Sequence, residues 1–297
     1  MRSHTAFADQ MPHDLLRMAI SGLSERQSGY DINKVEYVCA GTVFDEIKTS
    51  NVAREAWLSA GYTNTTPAHT VSQACISANT AVASCLAHLN MDQAKITIAG
   101  GVETVSDVQI KHSPELRREL ILSQKYKSSL GIILFSLKIT AAKNPKIISD
   151  YVKLAGRVAK NYKTYLKPDW PEVVQEFSTK EIMGHSADRL CEVFGVSRES
   201  QDEFAMRSHK GAKTAFESGL LTDIIPVTID GKTFNKDNGV RIVPPEKMAK
   251  LKPVFRPGIG TVTGGNSSFF TDGATACLIG EESYVKSNGL SCQSYLR

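Results

Sequence analysis

The 297-residue sequence has no apolar run long enough to cross a bilayer. Its longest, Leu130 to Leu137, is interrupted by Ser136 and is far short of the ~18 to 20 residues a membrane helix needs. The first residues, MRSHTAFADQMPHDLL, lack the apolar core of a secretory signal, and their acidic residues do not suit a transit peptide, so no targeting segment is expected in them. The six cysteines (Cys39, Cys75, Cys85, Cys191, Cys277, Cys292) include no CxxC pair and no regular spacing, which argues against a disulfide framework or a zinc site. Most lie in apolar stretches, as the reduced cysteines of an intracellular protein do. Internal repeats and low-complexity tracts are missing too. What remains, at 41% hydrophobic and 22% charged, is the composition of a globular protein with one large domain or two smaller ones.

Charge is unevenly spread. Of 35 Lys and Arg and 31 Asp and Glu, 12 basic residues but only two acids, Glu119 and Asp150, fall between Arg117 and Lys167, so that segment carries +10 and the remainder −6. Within it Ile148, Tyr151, Val152, Ala155, Val158, Tyr162 and Leu166 recur at helical spacing opposite Lys153, Arg157, Lys160 and Lys163. Such a helix suits a peripheral membrane or partner contact, or a solvated face packed on its own domain. An acidic remainder and the lack of a recognition motif disfavour nucleic acid.

Pro12 to Leu23 has the spacing of an amphipathic helix with proline in its first turn, and Val52 to Ala60 reads as a helix capped by Ser50 or Asn51. Val35 to Val43 is β-rich. Ala68 to Ala74, Ile76 to Leu89 and Lys95 to Gly101 read as strand, helix and strand, a βαβ unit. A mostly helical excursion follows, with a strand expected at Ile224 to Ile229. β character returns at Gly260 to Val262 and Ala274 to Ile279, and SCQSYLR at the end reads as the start of another strand.

The helical stripe begins right after Cys75, which places that thiol at a helix N-terminus, where unpaired N–H groups and the helix dipole favour a thiolate. Ala74, Ser77 and Ala78 leave space beside it, and the Cys75 amide is placed to help stabilise an oxyanion. The competing reading is a buried cysteine that fills a βα junction, as Cys85 is expected to be. A base is harder to find: His69 and His88 are each roughly 20 Å away along strand or helix. His112 and His185 stay open only if the excursion folds back.

The segments TPAHTVSQACISAN, AGGVETVSDV, EKMAKLKPVF and GTVTGGNSSFFTDGATACLI together resemble the thiolase family. KTSNVAREA, IKHSPELRRE, EFSTKEIMGHSADRL and KDNGVR look like its long-chain branch, the 3-ketoacyl-CoA thiolases that serve as β subunits of mitochondrial trifunctional complexes. The resemblance implies a thiolase-like layered α/β fold with a mostly helical loop-domain excursion. Residues 1–112 and 255–297 would form the N-terminal α/β domain and 113–254 the loop domain, with the basic amphipathic segment at 117–167. Cys75 matches the acyl-accepting nucleophile, Met183 a residue lining the acyl pocket, and Ser268 a contact of the pantetheine arm of coenzyme A. The activity implied is thiolytic cleavage of 3-ketoacyl-CoA in fatty-acid β-oxidation. Acyl-CoA and CoA are its substrates, no cofactor stays bound and no metal is needed. A homodimer, an α-type trifunctional subunit as partner and a mitochondrial location are implied as well. Condensing ketoacyl synthases share the fold, but GTVTGGNSS and EKMAKLKPVF resemble the degradative enzymes.

The family's His-Glu-Ala-Phe, Gly-His-Pro and Cys-x-Gly motifs do not occur in context; Cys39-Ala40-Gly41 has the last spelling but sits in an early strand. The opening strand and C-terminal domain are also unmatched, so the expectation is a fragment, incomplete at both ends and inactive alone. Lost acid–base assistance is worth ~10² to 10⁴-fold. The alternative is a catalytically dead subunit used in membrane or partner docking.

Overall fold

The computed structural model describes residues 1–27, 29–108, 111–114, 116–118, 156, 168–169, 175–292 and 294–296. Two compact units result. The first comprises Met1–Val108 with Gln175–Arg297, the second Gln109–Val174. This division is narrower than the 113–254 excursion. Of the basic segment 117–167 only Arg117, Arg118 and Gly156 are described, so its amphipathic helix lies outside the described residues. The described part of the second unit holds a short antiparallel pair, β4 (Lys111–His112) with β5 (Pro168–Asp169).

The first unit is built on a four-stranded sheet of order β2-β1-β3-β8, from β1 (Tyr37–Gly41), β2 (Ala68–Val71), β3 (Ile96–Glu103) and β8 (Gly273–Gly280). β1 runs parallel to β2 and β3, whereas β8 is antiparallel to β3. β2, α3 (Ser77–Asn90) and β3 form the expected βαβ unit, its crossover passing over β1. Helices α1 (Pro12–Arg26) and α2 (Val52–Ser59) cover one face and α3 the other. Asn51 caps α2 by accepting from the Arg54 amide.

Side chains alternate along the strands and make the two faces unequal. Val38 and Ala40 of β1, with Ile96, Ile98 and Val102 of β3, point toward Leu16, Ile20 and Trp57, a fully buried aliphatic and aromatic core. Tyr37, Cys39 and Ala99 face Ala81 and Cys85 of α3 instead. That face also carries Gly41 and Gly101. A Cβ on Gly41 would fall inside contact distance of the Ser77 carbonyl, and one on Gly101 would lie 2.8 Å from the Ala78 methyl. The small residues let the first turn of α3 rest directly on the C-terminal ends of β1 and β3.

Elsewhere α4 (Met183–Phe194), α5 (Arg198–Glu217), the β6–β7 hairpin (Val227–Ile229, Lys232–Phe234), α6 (Pro245–Met248) and α7 (Glu282–Ser287) complete the unit. Two expected strands do not form. Gly260 to Val262 is a loop because the amides of Thr261 and Val262 donate to the Asp188 carboxylate, at 2.7 and 2.9 Å, instead of to a neighbouring strand. The described residues of SCQSYLR are irregular. No helix among the described residues is long and apolar enough to cross a membrane.

Candidate active site

β2 ends at Val71, sooner than the alternation suggests, and the chain turns sharply before α3. Ala74 has φ +48°, a left-handed conformation that side chains bearing a Cβ seldom adopt and that costs of order ~1 to 3 kcal/mol. The turn is held from the helix side by Ser77, which is buried. Its hydroxyl accepts from the Gln73 amide at 2.8 Å and donates to the Ala74 carbonyl at 2.7 Å. The amides of Ile76 and Ser77 donate to the Gln73 and Ala74 carbonyls, and the Thr80 hydroxyl reaches the Gln73 side chain. Ile76, not Cys75, is the N-cap of α3. Cys75 therefore stands one residue outside the helix, at the crest of the turn.

Cys75 is exposed, which sets aside the reading of a buried junction cysteine. Cys85 is that kind: it is fully buried against the Ile98 carbonyl, and burial pushes its thiol up to about 12. Cys39 is buried too and pushed up to about 11 by the same desolvation.

The histidines are engaged away from Cys75. His69 bonds through Nδ1 to the Tyr37 hydroxyl and through Nε2 to the Cys39 sulfur at 3.5 Å, and His88 stacks on the Tyr37 ring with centroids 3.8 Å apart. This cluster occupies the N-terminal end of β1, whereas Cys75 follows the C-terminal end of β2. His185 Nε2 pairs with the Phe255 carbonyl. The side chain of His112 lies outside the described residues. Among the described residues no group of three or more His, Cys, Asp or Glu is arranged to hold a metal ion.

Met183 opens α4 with its side chain exposed, and Ser268 is exposed on the loop before β8, its hydroxyl donating to the Phe269 carbonyl at 3.3 Å. No hydrogen bond among the described residues joins either of them to Cys75. The Ser268 loop is nonetheless tied down by hydrogen bonds to two helices. Asp188, buried on α4, accepts from Thr261 and Val262, while Asn266 donates to Asp202 of α5 at 2.9 Å and to the Thr261 carbonyl at 3.1 Å. Arg198 locks Asp202 with an ion pair at 2.8 Å. Sequence reasoning passed over both aspartates, because the apolar residues of these helices, Leu190, Val193, Phe194 and Phe204, are exposed and no apolar stripe marks the buried side.

It also passed over Glu103. This carboxylate accepts from the amides of Val43 and Phe44, at 2.9 and 3.1 Å, and from the Thr42 hydroxyl at 3.4 Å. Desolvation pushes its pKa above the ordinary glutamate value even though these hydrogen bonds pull the other way.

An exposed cysteine thus sits on a strained turn between a parallel strand and a helix, beside a helix N-terminus packed on glycine. Residues 1–283 match the model of the thiolase N-terminal domain. The chain belongs to the thiolase family. It is 45% identical over 296 residues to the bovine mitochondrial trifunctional enzyme subunit beta, covering 99% of this chain and 57% of that protein. A probable 3-ketoacyl-CoA thiolase of Caenorhabditis elegans is 42% identical over 298 residues, covering 99% of this chain and 61% of the relative. Among solved structures, the acetyl-CoA acetyltransferase of Bacillus anthracis superposes with a TM-score of 0.74 at 26% identity, covering 98% of this chain and 64% of that one. The chain thus spans less than two thirds of the length of each of these thiolase relatives.

Proposed function

We propose that this chain carries the acyl-accepting cysteine of an acetyl-CoA C-acyltransferase, a 3-ketoacyl-CoA thiolase of fatty-acid β-oxidation. The observation that supports this best is Cys75, exposed on the Ala74 turn at the start of α3, in a chain of the thiolase family. Its thiolate attacks the 3-keto carbon of a 3-ketoacyl-CoA. The bond between C2 and C3 then breaks, and its electron pair leaves on C2 as the enolate of acetyl-CoA, which takes up a proton. The acyl group stays on Cys75 as a thioester. A second CoA loses its thiol proton, attacks that carbonyl and expels the Cys75 thiolate. Sulfur suits the task because thioester-to-thioester transfer is nearly balanced in energy, whereas a serine ester would trap the acyl group.

Met183 is the proposed acyl-pocket residue and Ser268 the proposed contact to the pantetheine arm, on a loop that Asp188 and Asp202 hold in place. Residues 1–112 and 255–297 form the proposed nucleophile domain and 113–254 the proposed loop domain. Relatives named as subunits of the mitochondrial trifunctional enzyme support a mitochondrial location and an α-type partner subunit. A homodimer is proposed by family resemblance, and a peripheral membrane contact through 117–167 from the basic amphipathic spacing of that segment.

The test is acylation. Incubation with acetoacetyl-CoA or a long-chain 3-ketoacyl-CoA, followed by peptide mass mapping, is expected to place the acyl group on the Cys75 peptide, with no adduct in Cys75→Ala. An adduct on another cysteine while Cys75 stays free, or an undiminished adduct in Cys75→Ala, would refute the assignment.

A further inference from the structure

Glu103 is a desolvated carboxylate for which the acyl transfer has no direct use. By register it belongs to the α3 face of the sheet: Ala99, Gly101 and Glu103 alternate onto one side of β3, and Gly101 abuts Ala78 in the first turn of α3. From there the carboxylate reaches across to the segment leaving β1 and takes three hydrogen bonds from Thr42, Val43 and Phe44. Gly41, the residue just before that segment, is the one on which the Ser77 backbone rests. Ser77 in turn holds the Gln73–Ala74 turn in its left-handed form beneath Cys75. A continuous set of contacts therefore runs from Glu103 through Thr42–Phe44, Gly41 and Ser77 to the turn that carries the nucleophile.

We propose that Glu103 is a positioning residue for Cys75, clamping the end of β1 so that the first turn of α3 stays seated and the Ala74 turn stays strained. The proposal rests on the reading of Cys75 as the nucleophile. Without the clamp the Gly41 end of β1 loses its anchor, Ser77 can move with it, and Ala74 relaxes toward ordinary backbone angles. Cys75 then moves relative to the amides and dipole at the helix start, a field worth roughly a factor of two to five for an adjacent anion. Loss of the negative charge alone would not slow labelling, because removing an anion never disfavours a thiolate. The sign of the change therefore separates positioning from simple electrostatics.

The experiment is iodoacetamide labelling of the full chain at neutral pH, with each cysteine followed by peptide mass mapping, in wild type, Glu103→Ala and Glu103→Gln. Labelling of Cys75 is expected to slow about two- to five-fold in Glu103→Ala. A smaller drop is expected in Glu103→Gln, which keeps one acceptor oxygen for the loop, and Cys39 and Cys85 should stay protected in both. If Glu103→Ala does not fold, the Gln variant decides the matter. Faster labelling of Cys75, an unchanged rate, or simultaneous exposure of Cys39 and Cys85 in the Gln variant would overturn the positioning role while leaving the nucleophile reading intact. A wild-type Cys75 no faster than the exposed Cys292 would overturn that reading, and this inference with it.

Discussion

Replacing Gly41 by alanine tests how the site is assembled more sharply than replacing the cysteine. The added Cβ meets backbone, the Ser77 carbonyl carbon and oxygen and the Ala78 amide nitrogen, the last at 2.5 Å against the 3.4 Å at which ordinary contact begins. Backbone in the first turn of a helix cannot rotate aside as a side chain does, so α3 must lift off the sheet by the difference. Overpacking of a filled interior costs about 1 to 3 kcal/mol, and a clash with three backbone atoms belongs at the upper end, ~3 kcal/mol. Lifting α3 also loosens its seat over Ala99 and exposes Cys85, which it buries. Gly101→Ala meets a single methyl, that of Ala78 at 2.8 Å, as its nearest atom and should cost less, about 1 to 2 kcal/mol. Gly264→Ala is the control, since nothing lies within 4 Å of its Cβ position. Urea unfolding followed by circular dichroism gives the three midpoints at a common slope. The expected order of stability is wild type and Gly264→Ala together, then Gly101→Ala, then Gly41→Ala. A Gly41→Ala midpoint that matches wild type would refute the idea that direct backbone contact seats α3 on the sheet.

Ser77→Ala removes a buried hydroxyl that both accepts and donates, so the loss should be about 1 to 3 kcal/mol in urea unfolding, with the Gln73 amide left unpaired. Burial, then the neighbouring His88, pull the His69 pKa below its ordinary value, so the folded state favours neutral His69. Stability should be flat above the ordinary histidine range near pH ~6.5 and decline as the pH falls through that range toward the depressed folded value; His69→Gln should remove this slope in urea midpoints taken across a pH series. Asp188→Ala strands the amides of Thr261 and Val262 and should cost about 2 to 4 kcal/mol; Asp188→Asn keeps an acceptor in place and should lower the thermal midpoint by less.

The sheet was legible in the sequence because its signals are local. Alternation in VEYVCAGTV and KITIAGG reports strands, the three- and four-residue spacing after Pro12, Val52 and Cys75 reports helices, and Asn51 reports its own cap. Gly260 to Val262 misled for a reason no local pattern contains: its amides bond to Asp188, more than 70 residues earlier. β2 likewise ended early because Ser77, beyond the turn, competes for the Gln73 amide and the Ala74 carbonyl.

The same distinction separates the proposed nucleophile from what supports it. Cys75 stands out in sequence because its neighbours are small and a helical stripe starts beside it. The residues that hold it act through backbone: Gly41 and Gly101 by lacking a side chain, Ser77 through main-chain partners, Glu103 by capturing two amides of another strand's exit loop. Contacts of this kind leave no periodicity, since they depend on which strands become neighbours. Once β1 is known to lie between β2 and β3, they become a necessity of packing. A parallel strand beside β1 puts Gly101 level with Gly41, so the next residue on that side, Glu103, comes level with the segment that leaves β1 and bonds to it. The proposed acyl-accepting thiol is thus placed by the strand order itself. Mutations at Gly41, Gly101 or Glu103 should therefore alter the reactivity of Cys75 without touching it, as a shift in its labelling rate relative to Cys292.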